Sequence, residues 1–198
     1  MSESASSEGA SNGATRSHPA YDTKGLPTPE VLARIAALRA QVRESFGKIV
    51  MSLMVLPRYR HQTIADLQPL VLEPLIRDRI AIAYPAEGTD PTHPDIAGLA
   101  IWASVSAEVD VKIRTQIREN VFPVRLQPED WTSGGINWLL DVIAPDRKAA
   151  GRVVANFKQV IKEGELRLHP VVAGQVDPEM MERMGARRGG KGEGSDAA

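Results

Sequence analysis

Two stretches of this chain are apolar at nearly every position, Ile96 to Ser104 and Asn137 to Ile143. Runs this dense lack the in-and-out alternation of a strand with one wet face, and they read as strands buried on both faces. The second run ends at Pro145 and carries one carboxylate, Asp141. The rest of the chain supplies helical periods. After Pro27 and Pro29, the residues Leu32, Ile35, Leu38, Val42, Phe46, Ile49 and Leu53 recur every three or four positions, which predicts a helix with Thr28 as its N-cap. Pro57 should stop it near Leu56. A second helix is expected to open at Thr63-Ile64-Ala65-Asp66 and run to Leu75, short or kinked because of Pro69 and Pro74. Ile80 to Tyr84 reads as a strand joined to the 96–104 strand by a long hairpin connection rich in Pro, Gly, Thr and Asp. Helices follow at about Ser106–Asn120 and Lys148–Glu163, and Leu166-Arg167-Leu168 closes the pattern as a strand. The order helix, helix, strand, strand, helix, strand, helix, strand predicts an α+β fold.

The ends of the chain lack the means to join such a core. Residues 1–26 and 185–198 are Ser, Gly, Ala and charged residues with almost no large apolar side chain, which predicts disordered tails around a single domain at 27–184. The N-terminal stretch has neither the basic-then-apolar pattern of a signal peptide nor a membrane-spanning run, which points to a cytoplasmic protein. A formal net charge of -1 provides no broad field to recruit nucleic acid or anionic lipid. The absence of Cys excludes a disulfide scaffold, a thiolate metal site, a Cys nucleophile and a covalent thioester on a cysteine. His18, His93 and His169 have no metal-site spacing, and no phosphate-binding glycine loop is present.

The string EDWTSGGINWLLDVIAP, Glu129 to Pro145, resembles the signature of the toxin-activating lysine acyltransferases of the hemolysin C type, with Gly135 where that family usually has Asp and Asp146 where Phe is common. Residues Gly47 to Leu75, GKIVMSLMVLPRYRHQTIADLQPLVLEPL, keep the spacing of the family's more degenerate SP-x-HR segment, and LAIWASVSAEVDVKI resembles its A-x-WA strand and charged helix. The resemblance implies a single domain related to the Gcn5-type N-acetyltransferases, acting as a cytoplasmic homodimer. It implies transfer of a fatty acyl group from acyl carrier protein to internal lysines of an RTX-type protein, with no bound cofactor and no metal. The family's Asp maps onto Asp141. Its His-Arg pair falls on Tyr59-Arg60, so the His is replaced by Tyr59.

A lysine ammonium must lose a proton before it can attack a thioester, and a base tuned near neutrality serves best. Tyr59 is protonated at neutral pH and suits hydrogen-bond donation instead. If residues 58–62 are extended, His61 projects on the same side as Tyr59 and takes the base role, with Asp141 fixing its tautomer. The plainer assignments are a solvated His61 and an Asp141 partnered by Arg58 or Arg60, since a lone carboxylate in an apolar run is costly. Trp131 and Trp138 read as packing residues. Gly134 and Gly135 make a turn whose amides are candidates for binding an oxyanion. Arg60 and Gly134 are taken as substrate contacts. Arg147, Lys148, Arg152, Lys158, Lys162 and Arg167 cluster in sequence as a docking patch for an acidic carrier protein, or as a solvated helix face. The rival function is a non-catalytic relative that binds a carrier protein or polypeptide, and the missing His is what favours it.

Overall fold

The computed structural model describes residues 26–85, 96–161, 166–176 and 187–188. The tail at 1–25, most of the hairpin connection, Lys162 and most of the C-terminal stretch lie outside the described residues. The chain divides into two compact units, residues 1–41 and residues 42–198. Helix α1, Pro29–Met54, begins in the first unit and ends in the second. Thr28 caps it as expected: its Oγ1 accepts from the Val31 amide at 3.4 Å. Within the second unit, Phe46, Ile49 and Leu53 continue the apolar stripe into the core. Leu56 is extended ahead of Pro57, which ends the helix and starts a single 3-10 turn, Pro57–Tyr59. The expected second helix opens with Thr63 and Asp66 capping each other, then breaks into a π-helical turn, Gln68–Leu72, and a short α2, Glu73–Ile76. Pro69 and Pro74 each remove an amide donor, so a regular α-helix cannot run through.

The sheet has the order β1 (Ile80–Ala83), β2 (Gly98–Val105), β3 (Ile136–Ile143), β4 (Leu166–Leu168), β5 (Arg187–Arg188). The first two pairings are antiparallel; β3–β4 and β4–β5 are parallel. A parallel pair needs a crossover, and α4, Arg147–Val160, lies between β3 and β4 in the chain. Helix α3, Ala107–Arg118, follows β2 with Ser106 as N-cap, and α5, Pro170–Ala173, is a short helix that periodicity does not predict. Both faces of the central strands are covered, as their composition predicts. On one face, Leu99, Ile101, Ala103, Val105, Trp138 and Ile143 pack with the end of α1, Tyr59 and α3. On the other, Ala100, Leu139, Val142, Leu166 and Leu168 pack with Ala150, Val153, Val154 and Phe157 of α4.

One irregularity in β3 decides where Asp141 points. Ile101 pairs with Asp141 and the next residue, Trp102, pairs with Leu139, so Leu140 is an extra residue opposite no partner. This is a β-bulge, and it reverses the alternation downstream. Strict alternation would put Asp141 with Leu139 on the α4 face. With the bulge, Asp141 lies opposite Ile101, on the face of Trp138, Ile143 and Tyr59.

Candidate functional site

Asp141 is 2% exposed in the middle of an apolar face, so its charge must be met locally. Three donors meet it. The Arg58 guanidinium donates to Oδ1 at 2.7 Å, the Val142 amide donates to Oδ1 at 2.8 Å, and the Tyr59 hydroxyl donates to Oδ2 at 2.6 Å. Arg58 also donates to the Val142 carbonyl and reaches the Tyr59 hydroxyl, and its guanidinium lies 4.5 Å from the centre of the Tyr59 ring. The 3-10 turn makes this convergence: it curls Arg58 and Tyr59 together onto the sheet face to which the bulge turns Asp141.

Burial pushes the Asp141 carboxyl above the usual carboxylate range, while Arg58, the Tyr59 hydroxyl and the Val142 amide pull it back. Burial likewise pushes the Tyr59 phenol well above its ordinary value, and the neighbouring Asp141 charge adds to the effect. Tyr59 is therefore a donor at any physiological pH and not a base. Each carboxylate oxygen can accept about two hydrogen bonds. Oδ1 is filled by Arg58 and Val142, whereas among the described residues Oδ2 accepts only from Tyr59 and keeps an open acceptor position.

The condition for His61 to join Asp141 is not met. Residues 58–62 turn instead of extending: the Arg60 amide donates to the Pro57 carbonyl at 3.2 Å and the Gln62 amide to the Tyr59 carbonyl at 3.0 Å. His61 is exposed and is not among the partners of Asp141, and Arg60 is exposed beside it. The Arg58 alternative, not Arg60, is the partner found. Gly134 is a packing glycine whose amide is already used, donating to the Ser104 carbonyl at 3.2 Å. A Cβ there would lie 2.6 Å from the Val105 carbonyl oxygen, so only glycine lets this loop approach β2 so closely. Trp131 and Trp138 are core residues, at 1% and 0% exposure.

The basic cluster also divides. Arg147, Lys148, Arg152 and Lys158 are exposed on α4. Arg167 is on the opposite face of the sheet, because it pairs in register with Trp138; its guanidinium and the Trp138 indole both donate to buried Asp110. Lys162 lies outside the described residues.

His169 is a residue that sequence reasoning passed over except as a metal ligand. It follows β4, and its amide donates to the Leu139 carbonyl of β3 at 3.0 Å. It is 5% exposed, with its ring 6.2 Å from that of Phe122, which in turn lies 6.3 Å from the Tyr59 ring. Burial and the positive charge of Arg58 push its pKa down to about 4. Among the described residues no group of three or more His, Cys, Asp or Glu is arranged to hold a metal ion. Nor is any helix long and apolar enough to cross a membrane.

A mixed open sheet flanked by helices, with a carboxylate buried in its central strand, is an α+β architecture of the Gcn5-type N-acetyltransferase kind. A family model for the RTX toxin acyltransferases (HlyC) matches residues 38–173, more than two thirds of the sequence. The chain belongs to that family, one of acyltransferases that activate RTX toxins. A comparison with curated proteins finds no match.

Proposed function

We propose that this protein transfers a fatty acyl group from acyl carrier protein to the ε-amine of internal lysines in an RTX-type protein. The observation that carries the reading is Asp141 itself: the residue at the family's acidic position is buried, held by two neighbouring side chains, and left with one open acceptor site on Oδ2. A carboxyl lifted by burial is a stronger base than a solvated one, so Asp141 takes the proton that the lysine must lose. Tyr59 and Arg58 hold the carboxylate in place, and Tyr59 stands where relatives carry a His. An open apolar groove of about 220 Å³ at the far end of β3, lined by Met51, Val55, Leu56, Ile96, Ile143 and Pro145, has the lining expected for a hydrocarbon tail. The exposed cations of α4 suit an acidic carrier. The reading includes a homodimer working in the cytoplasm with no resident cofactor.

The test is intact-mass analysis of an RTX acceptor after incubation with the purified protein and long-chain acyl carrier protein. Mass increments on lysines are expected, about 10²-fold slower or absent with Asp141→Asn and unchanged with His61→Ala. The second reading, a carrier-binding relative without activity, is favoured because among the described residues no imidazole is hydrogen-bonded to Asp141. It gains if the carrier binds and no acceptor lysine gains mass.

A further inference from the structure

The fold leaves one buried imidazole with half of its hydrogen-bonding capacity unused. His169 Nδ1 accepts a hydrogen bond from the Val171 amide at 3.2 Å, at the start of α5. A nitrogen that accepts carries no proton, so the neutral ring bears its hydrogen on Nε2. That Nε2 is buried and makes no hydrogen bond to any described residue. An unpaired buried donor is destabilising, which makes a missing partner worth seeking.

The sheet shows what the ring is near. Leu166 and Leu168 pack on the α4 face, so alternation turns Arg167 and then His169 to the other face, the one to which the bulge brings Asp141. The Arg58 guanidinium that binds Asp141 also acts on His169, and Phe122 touches the surroundings of both. Phe122 and Asp141 line the same shallow pocket, with Leu140 and Trp131. With Nδ1 fixed to α5, Nε2 is directed away from that helix.

We propose that His169 is a substrate-contacting residue, its Nε2–H donating a hydrogen bond to the carbonyl oxygen of the acyl group during transfer. The inference rests on the acyl-transfer reading above. The amine nitrogen bonds to the thioester carbon, the carbonyl oxygen carries negative charge in the adduct, and the C–S bond then breaks. One amine proton passes to Asp141 and from there to the departing thiolate, so the products are an amide and a thiol. A neutral donor aimed at the oxygen stabilises the adduct more than the ground state. The low proton affinity of His169 suits it to donating and disqualifies it as the base.

The experiment uses the full chain and a long-chain acyl-pantetheine analogue in which CH₂ replaces the thioester sulfur and the carbonyl is ¹³C-labelled. Binding to the wild type is expected to move the carbonyl resonance downfield, with the shift lost in His169→Phe and partly kept in His169→Gln, whose amide can still donate. In parallel, ¹⁵N spectra should show His169 as the neutral Nε2–H form at pH 7. In the transfer assay His169→Phe should lower kcat about 10²-fold with KM little changed. A carbonyl shift identical in wild type and a folded His169→Phe, or a His169 protonated on Nδ1, overturns the inference and leaves the acyl-transfer reading standing. Failure of the analogue to bind the wild type overturns both.

Discussion

Replacing Arg58 by Met removes the cation from Asp141 while keeping most of the apolar stem. Arg58 is 28% exposed at its side chain and Asp141 only 3%, so one end of the pair is screened by water and the other is not. Removing the partner of a buried charge costs about 3–5 kcal/mol. Partial exposure of Arg58, together with the Tyr59 and Val142 donors that remain, puts the expected loss at the low end, about 3 kcal/mol at pH 7.5. The variant can recover part of this by protonating Asp141. A carboxyl whose pKa is raised on folding adds stability below its unfolded value and loses it as pH rises through the folded value. Losing Arg58 raises the folded value further, so the penalty should shrink toward about 1 kcal/mol between pH 7.5 and pH 5. Urea unfolding is the assay: with a slope of about 2 kcal/mol/M, the midpoint should fall by about 1.5 M at pH 7.5 and by about 0.5 M at pH 5. In an Asp141→Asn background, where no charge is left unpaired, Arg58→Met should cost under about 1 kcal/mol. Penalties that are equal in both backgrounds and independent of pH would refute the claim that Arg58 compensates a buried charge.

Two further outcomes follow from the same geometry. Gly134→Ala should destabilise by about 1–3 kcal/mol in urea unfolding, because its Cβ would lie 2.6 Å from the Val105 carbonyl oxygen and 2.7 Å from the Ser106 nitrogen; Gly135→Ala, with nothing within 4 Å, serves as the matched control. His169 is lowered to about 4 in the folded chain, so its contribution to stability is complete above the ordinary value near 6.5 and is lost as pH falls toward 4. The stability difference between wild type and His169→Gln should therefore shift by about 2–3 kcal/mol across that interval, and a flat difference would contradict a buried neutral imidazole.

The sequence made the two central strands legible because burial on both faces leaves no polar position to hide the pattern, and α3 and α4 because their apolar residues recur at helical spacing. Asp141 stood out for the converse reason, as a carboxylate where water is excluded. Its partner was foreseen only as one of two arginines, since the choice between Arg58 and Arg60 depends on whether residues 57–62 extend or turn. Pro57 permits either. The extended alternative, which favoured His61, fails on backbone hydrogen bonds between near neighbours that composition does not encode. His169 was invisible for a different reason: its place beside β3 depends on β4 pairing parallel to that strand through a crossover, a long-range choice that a three-residue apolar pattern does not record. Arg167 was misplaced with the α4 cations on the same account, because proximity along the chain says nothing about which side of a sheet a residue faces.

The extra residue at Leu140 makes the site depend on counting parity along β3. If the strand closed the bulge by a one-residue slip, with Leu140 opposite Ile101, composition and hydrophobicity would be untouched, yet Asp141 would come opposite Ala100, on the side occupied by α4. Arg58 and Tyr59 would then face an apolar side chain, and a carboxylate would be driven among Val153, Val154 and Phe157. The same residues thus admit two registers that a hydrophobicity profile cannot separate. Only the bulged one presents the carboxylate to the turn after α1.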